Sequence, residues 1–178
     1  MTAIRHQSYE IRNLSFQLNL YMLGAQNYIT TESYWKKERE VYKAFFDNYR
    51  DLLLPTLLSL AVNFRILDDD IKRCSISLQN MTKNYEHRQM AILLPDGKDM
   101  SLRDVANKII HAEKSYWYEN NIPHQSHFEE FLGIEDDGML FVIEGKLGKQ
   151  KWIAGLNLII VSEQFYEFSE IACEQCAV

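Results

Sequence analysis

The sequence predicts a mainly α-helical fold, a helical bundle with a small β-hairpin near the C-terminal third. Apolar residues recur at helical spacing through most of the first 118 residues. Helix-breaking residues are rare early, since six of the seven glycines and two of the three prolines lie beyond residue 90. The 178 residues are 47% hydrophobic and 25% charged, which suits one globular domain. We therefore assign residues 1–178 to one domain, with a helical part over about 8–118 and a hairpin plus terminal helix over about 139–174.

Two long helices are predicted in the first half. The first spans about 8–28, and the second starts near Thr30 or Thr31, either of which could cap it. The apolar face of the first comprises Ile11, Leu14, Leu18, Tyr21 and Ala25. The stripe of the second comprises Tyr34, Val41, Phe45, Tyr49 and Leu52. Pro55 should kink or break the second helix, because its ring clashes with a preceding carbonyl. Residues 57–67 are apolar nearly all round and predict a helix in the middle of the bundle.

The middle of the chain mixes polar and apolar segments. Residues 68–88 are polar and predict a helix for part of their length. Residues 89–94 predict a short strand that ends at the turn residues 95–97. A helix then starts at Ser101, which forms a capping-box variant with Asp104.

The last third predicts a polar loop over 120–126 and a short helix over 127–133. Residues 139–161 follow as a β-hairpin that turns within the glycine- and lysine-containing stretch 144–151. One side of its second arm holds Trp152, Leu156, Leu158 and Ile160. Ser162 is expected to cap a final helix. The apolar residues of that helix are Phe165, Phe168, Ile171 and Ala172.

The helix that begins at Ser101 carries the candidate site. Its predicted core face comprises Leu102, Val105, Ala106, Ile109, Ile110, Tyr116 and Trp117. Arg103, Asn107 and His111, four residues apart each time, form a polar ridge from the flank of that face to the outer surface. Glu113 is predicted near the centre of the apolar face, where a carboxylate must pair, take up a proton or reach water.

The polar ridge has two interpretations. Arginine can hold a phosphate through paired hydrogen bonds, asparagine can orient a substrate, and histidine titrates near neutral pH. The ridge could therefore bind a phosphate and move a proton. The alternative is an ordinary solvated helix face, because all three residue types are common on surfaces.

The segment RDVANKIIHA, residues 103–112, resembles the signature of HEPN-like helical bundles. The resemblance implies a metal-independent ribonuclease site across a homodimer interface. Arg103 would hold the scissile phosphate and His111 would exchange a proton, with Asn107 or Asp104 as the polar companion. Seven residues separate Arg103 from His111, whereas the family usually has four to six. The hairpin is not part of the family's minimal bundle.

A zinc site is the remaining chemical alternative. Cys173 and Cys176 form C-x-x-C, and His124 and His127 form H-x-x-H, which together could supply four ligands. One C-x-x-C is only half a site, so we expect no metal and no cofactor.

The formal net charge of −6 argues against broad attraction to phosphate backbones. No apolar run approaches the ~20 residues that a bilayer needs. The three cysteines and the absence of a secretory signal predict a cytoplasmic protein that does not contact membranes. Two functions stay open. One is a HEPN-like ribonuclease or RNA-binding homodimer. The other is a non-catalytic interaction subunit or adaptor of a larger complex, which predicts a large exposed apolar patch on a helix of the first half.

Overall fold

The computed structural model describes residues 2–30, 39–73, 90–94, 97–117 and 140–175. The described part of the chain contains, in order, α1 (Thr2–Thr30), α2 (Arg39–Ile71), β1 (Ala91–Leu94), β2 (Lys98–Asp99), α3 (Leu102–Ile110), β3 (Ala112–Trp117), β4 (Leu140–Leu147), β5 (Gln150–Asn157) and α4 (Leu158–Gln175). The segments predicted as a loop over 120–126, as a short helix over 127–133 and as partly helical over 74–88 lie outside the described residues.

The predicted fold class is wrong, because the strands form a five-stranded antiparallel sheet in the order β2-β1-β5-β4-β3. The hairpin predicted over 139–161 exists as β4 and β5. It lies in the middle of the sheet. β1 pairs with β5 on one side of the hairpin, and β3 pairs with β4 on the other side. The hairpin turns at Gly148, whose φ of 60° is the conformation that two-residue hairpin turns require. Each short flanking segment is stabilised as a strand by hydrogen bonds to this hairpin, which local periodicity does not reveal.

α1 is longer than the predicted span of 8–28, and α2 continues through Pro55 without the predicted break. Pro55 lies on the exposed side of α2 next to exposed Asp51, so the carbonyl that loses its partner can bond to water. Leu52, predicted in the apolar stripe, is 54% exposed. The predicted start of the second helix near Thr31 lies outside the described residues.

Residues 57–67 do not form the middle of a bundle. One side of this part of α2 is buried, at Leu57, Leu60, Ala61, Phe64 and Leu67. The other side leaves Leu58, Val62 and Ile66 between 39% and 46% exposed. α2 therefore covers the core with one face only.

The helices cover one face of the sheet and enclose the main core. α1 packs most extensively against α4 and α2. Phe64 of α2 stacks on Phe165 of α4, with ring centroids 4.5 Å apart. From the sheet, alternate residues of the central strands enter this core, among them Phe141, Ile143, Ala154 and Leu156. A smaller cluster on the opposite face of the sheet comprises Ile92, Leu94 and Val142, with Tyr116 and Ile153 packed against it.

The segment that follows α3 is a strand, not the predicted continuation of the helix. α3 ends at Ile110, and β3 begins two residues later. Tyr116 and Trp117, predicted on one helical face, point to opposite faces of the sheet. Tyr116 packs against the smaller cluster, whereas Trp117 packs edge-on against Phe141 at 5.1 Å. Pairing with β4 overrides the helical periodicity here.

α4 begins earlier than predicted. Leu158 and Ile160, assigned to the second arm of the hairpin, are helical. Asn157 caps the helix, because its side-chain oxygen accepts a hydrogen bond from the Ile160 amide at 3.2 Å. Ser162 lies inside the helix and donates to the Ile159 carbonyl. Within the described ranges, no helix is both long and apolar enough to span a bilayer.

Candidate functional site

α3 holds the polar ridge in place. The predicted capping interaction is present, since Ser101 Oγ accepts a hydrogen bond from the Asp104 amide at 3.2 Å. The apolar face of α3 is buried, and α3 packs mainly against α2. The ridge of Arg103, Asn107 and His111 lies on the other side, where Arg103 and Asn107 are half-buried and His111 is exposed.

Arg103 is paired with the end of α2. Its guanidinium donates hydrogen bonds to the carboxylates of Asp68 and Asp69, the latter at 2.9 Å. The Asp68 side chain is only 14% exposed, and Lys72 also approaches it at 2.8 Å. Burial, and after it the charge of Arg65, lower the pKa of Arg103, which nevertheless stays protonated at neutral pH. Arg103 therefore anchors α3 to α2.

Asn107 joins the same network. Its side-chain oxygen accepts a hydrogen bond from Arg65 of α2, and the Arg65 guanidinium lies 3.6 Å from an Asp69 carboxylate oxygen. We call Arg65, Asp68, Asp69, Arg103 and Asn107 the ion-pair cluster. In this cluster two guanidinium groups are neutralised by two carboxylates. A phosphate that bound to the arginines would therefore have to displace a carboxylate, and Asp69 is the more exposed of the two.

His111 stands apart from the ion-pair cluster. It ends α3, with its backbone amide bonded to the Asn107 carbonyl at 3.1 Å. Its own carbonyl lies against Gly145, where an added Cβ would come within 2.7 Å of the carbonyl oxygen. The eight-residue step from Arg103 to His111 corresponds to about 12 Å along the helix axis. The Arg103 guanidinium is bonded to Asp68 and Asp69 of α2.

An apolar groove lies beside the end of α3. Its volume is ≈ 300 Å³, and its lining includes Leu54 and Leu58 of α2, Ile110 of α3, and Ser115 of β3. Glu113 is at its rim, on a strand and not on an apolar helical face, and its carboxylate reaches water, which was one of the expected alternatives. A register shift between Ala112 and Lys114 leaves Glu113 as the extra residue of a β-bulge. Its exposed carboxylate pairs with Lys146 Nζ at 3.2 Å.

The structure describes only one of the four candidate zinc ligands. Cys173 is half-buried on α4, whereas Cys176, His124 and His127 lie outside the described residues. Among the residues that the structure places, no group of three or more His, Cys, Asp or Glu side chains is arranged to hold a metal ion.

α1 carries apolar residues on two opposite sides. Its inner side packs in the core through Ile4, Ser8, Ile11, Ser15, Leu18 and Met22, with spacings that alternate between four and three residues. A second series with the same alternation is exposed, and we call it the outer seam: Tyr9, Asn13, Phe16, Leu20 and Leu23. Its four apolar members are between 51% and 63% exposed. At 100° per residue the two series lie about 140° apart around the helix.

Two features were not predicted from the sequence: the partner of Arg103 on α2 and the outer seam of α1. The acidic run Asp68 to Asp70 was a signal for the first, because it directly follows the apolar segment of α2, and α2 packs on α3. The spacing of Tyr9, Phe16 and Leu23, seven residues apart, was a signal for a second apolar series on α1. Both signals require knowing which faces are already buried, and periodicity alone does not provide this.

Comparison of the chain with protein-family models, with curated proteins and with solved structures finds no match.

Proposed function

We propose that this protein is a non-catalytic interaction module that binds another protein through the outer seam of α1. The observation that supports it most is the exposure of Tyr9, Phe16, Leu20 and Leu23 on one side of a helix whose other side is already buried in the core. Large apolar side chains on one contiguous face are typical of a surface that binds a partner. Their spacing of three, four and seven residues suits a helix as the bound element.

The polar ridge supports this proposal indirectly. Arg103 and Asn107 already have partners on α2, and these contacts connect two helices of the same chain. Ion pairs of this kind account for the arginine and the asparagine as structural residues. The apolar groove beside α3 could accept a single side chain of a partner, whereas the outer seam offers about 21 Å of continuous helix from Tyr9 to Leu23.

The test is site-specific photo-cross-linking in the cells that make the protein. A photoreactive residue replaces Phe16 in the outer seam or, as the matched control, Leu147, which is 75% exposed at the hairpin end. We expect one discrete covalent adduct from position 16 and none from position 147. Equal labelling at the two positions, or no adduct at position 16, would contradict the proposal.

A metal-independent ribonuclease is the second candidate, and the exposure of His111 at the end of the polar ridge favours it. Two guanidinium groups, those of Arg65 and Arg103, lie on the same side of α3 as this imidazole. Since Arg103 and His111 are about 12 Å apart along the helix axis, the site would need a second copy to complete it.

The decisive variant for this candidate is His111→Ala, because the side chain is exposed and its removal leaves the core intact. The ribonuclease candidate predicts that RNA cleavage without added metal is lost in His111→Ala and kept in the surface control Lys149→Ala, which lies in the hairpin turn. Absence of cleavage by the wild type on both single-stranded and structured RNA would refute the ribonuclease.

A further inference from the structure

We propose that the partner of the outer seam is a second copy of this chain, with α1 pairing in parallel with α1 of the second copy as a short two-stranded coil. This inference rests on the proposed function and names its partner. The seam follows a heptad pattern, in which Tyr9, Phe16 and Leu23 occupy d positions and Asn13 and Leu20 occupy a positions.

Asn13 favours a parallel homodimer. In a parallel pair each a position faces the same a position of the other helix, so the two Asn13 amides can bond to each other. In an antiparallel pair an a position faces a d position, and every d position of the seam is Tyr, Phe or Leu. An antiparallel pair would therefore bury the Asn13 amide against an apolar side chain, which costs free energy.

The charges beside the seam favour the same orientation. Arg5 and Arg12 occupy g positions, whereas Glu10 and Gln17 occupy e positions. In a parallel pair, g of one helix faces the following e of the other, which places Arg5 opposite Glu10 of the second copy on both sides of the coil. In an antiparallel pair, g faces g and e faces e, so like charges would meet.

The area is that of a weak dimer. A fully buried aromatic side chain contributes roughly 200 Å², two of the four apolar seam residues are the smaller leucines, and each of the four is about half exposed, so each copy contributes less than about 400 Å². Two copies with their flanking residues lie below the ~1,200 Å² at which stable interfaces begin, in the range of weak complexes. α1 is already held by α2 and α4, so its helix does not have to form on association. We expect a dissociation constant in the micromolar range.

The first experiment measures the oligomeric state of the full-length protein by sedimentation equilibrium at about 100 μM, well above a micromolar Kd. Leu20→Lys places two like charges in the coil and should give a monomer. Leu147→Lys makes the same substitution at an exposed position away from α1 and should remain a dimer. Both variants should keep the wild-type circular dichroism, because neither side chain is buried in the monomer. Their Tm should equal that of the wild type only well below the Kd, where association does not stabilise the wild type.

The second experiment determines orientation by cysteine cross-linking, in a background where Cys74, Cys173 and Cys176 are serine. A parallel coil predicts that Tyr9→Cys, at a d position, and Leu20→Cys, at an a position, each form a covalent dimer alone on oxidation. An antiparallel coil that sets Tyr9 opposite Leu20 predicts that neither does, and that only a mixture of the two variants cross-links. Glu174→Cys on the exposed end of α4 is the control that should not cross-link.

The outcomes separate this inference from the proposed function. A monomeric wild type, a dimer that persists in Leu20→Lys, or cross-links only in the mixture overturns the parallel homodimer. If the position-16 photo-adduct then contains a different protein, the interaction module stands and only its partner changes. If there is neither a dimer nor an adduct, both proposals fail.

Discussion

Replacing Arg103 tests whether it is a structural residue. Arg103→Met keeps the aliphatic bulk but removes both hydrogen bonds to α2. A hydrogen bond to a charged group contributes about 1.5–3 kcal/mol when it is well buried. The bond to Asp68 is the stronger one, since that side chain is 14% exposed. The bond to Asp69 is screened by solvent, since that side chain is 43% exposed. We therefore expect the free energy of unfolding to fall by about 2 kcal/mol. The fall is not larger because Lys72 still pairs with Asp68 in the variant.

For a chain of this size 1 kcal/mol shifts Tm by about 2–4 °C, so Tm should fall by about 4–8 °C. The assay is urea and thermal unfolding followed by circular dichroism. The matched control is Arg73→Met. The Arg73 side chain is 79% exposed, and its guanidinium comes no closer than 3.7 Å to the Asp70 carboxylate, so the ion pair is weak. Its loss should cost less than about 0.5 kcal/mol. An Arg103→Met variant as stable as wild type, or no more affected than the control, would refute the structural role and leave Arg103 available for a ligand.

Three further predictions concern single side chains. Gly145→Ala should destabilise by about 3 kcal/mol in urea unfolding, because its Cβ would lie 2.3 Å from a ring carbon of buried Trp152; an unchanged midpoint would contradict the crowding. Ser15→Ala should stabilise by about 1 kcal/mol in the same assay, because its buried hydroxyl has no hydrogen-bond partner in the described part of the chain. Burial and a 2.6 Å hydrogen bond to Glu144 raise the pKa of Tyr116 above its usual value near 10, so its contribution to stability is complete below about pH 10 and lost at higher pH. The stability difference between wild type and Tyr116→Phe should therefore be constant up to about pH 9 and shrink as the pH rises above about 10, and a difference that stays constant above pH 10 would disprove the linkage.

The sequence predicted well those elements that are determined locally. The strand over 89–94, the cap at Ser101 and the hairpin turn with Gly148 each depend on residues within a few positions of one another. The segment over 112–117 failed because its apolar residues fit a helix and a strand equally well. Only the hydrogen bonds to β4, nearly thirty residues away in sequence, decide between them.

The candidate site shows the same division. The ridge residues were placed on one side of α3 by spacing alone, and the structure has them there. What they contact could not be predicted, because Asp68, Asp69 and Arg65 belong to a helix more than thirty residues earlier. A pattern on one helix identifies which side chains share a face. It does not identify whether another helix of the same chain already occupies that face.

The two sides of α1 place different demands on their polar residues. On the inner side, Ser8 and Ser15 are fully buried, and their small size permits close approach of the helix that packs against them, although their hydroxyls have no hydrogen-bond partner among the described residues. On the outer side, Asn13 is the one polar residue within a row of exposed Tyr, Phe and Leu. Charged and polar residues flank this row, at Arg5, Glu10, Arg12 and Gln17. In the proposed homodimer the second α1 covers the row, and Asn13 would then select the register of the two helices.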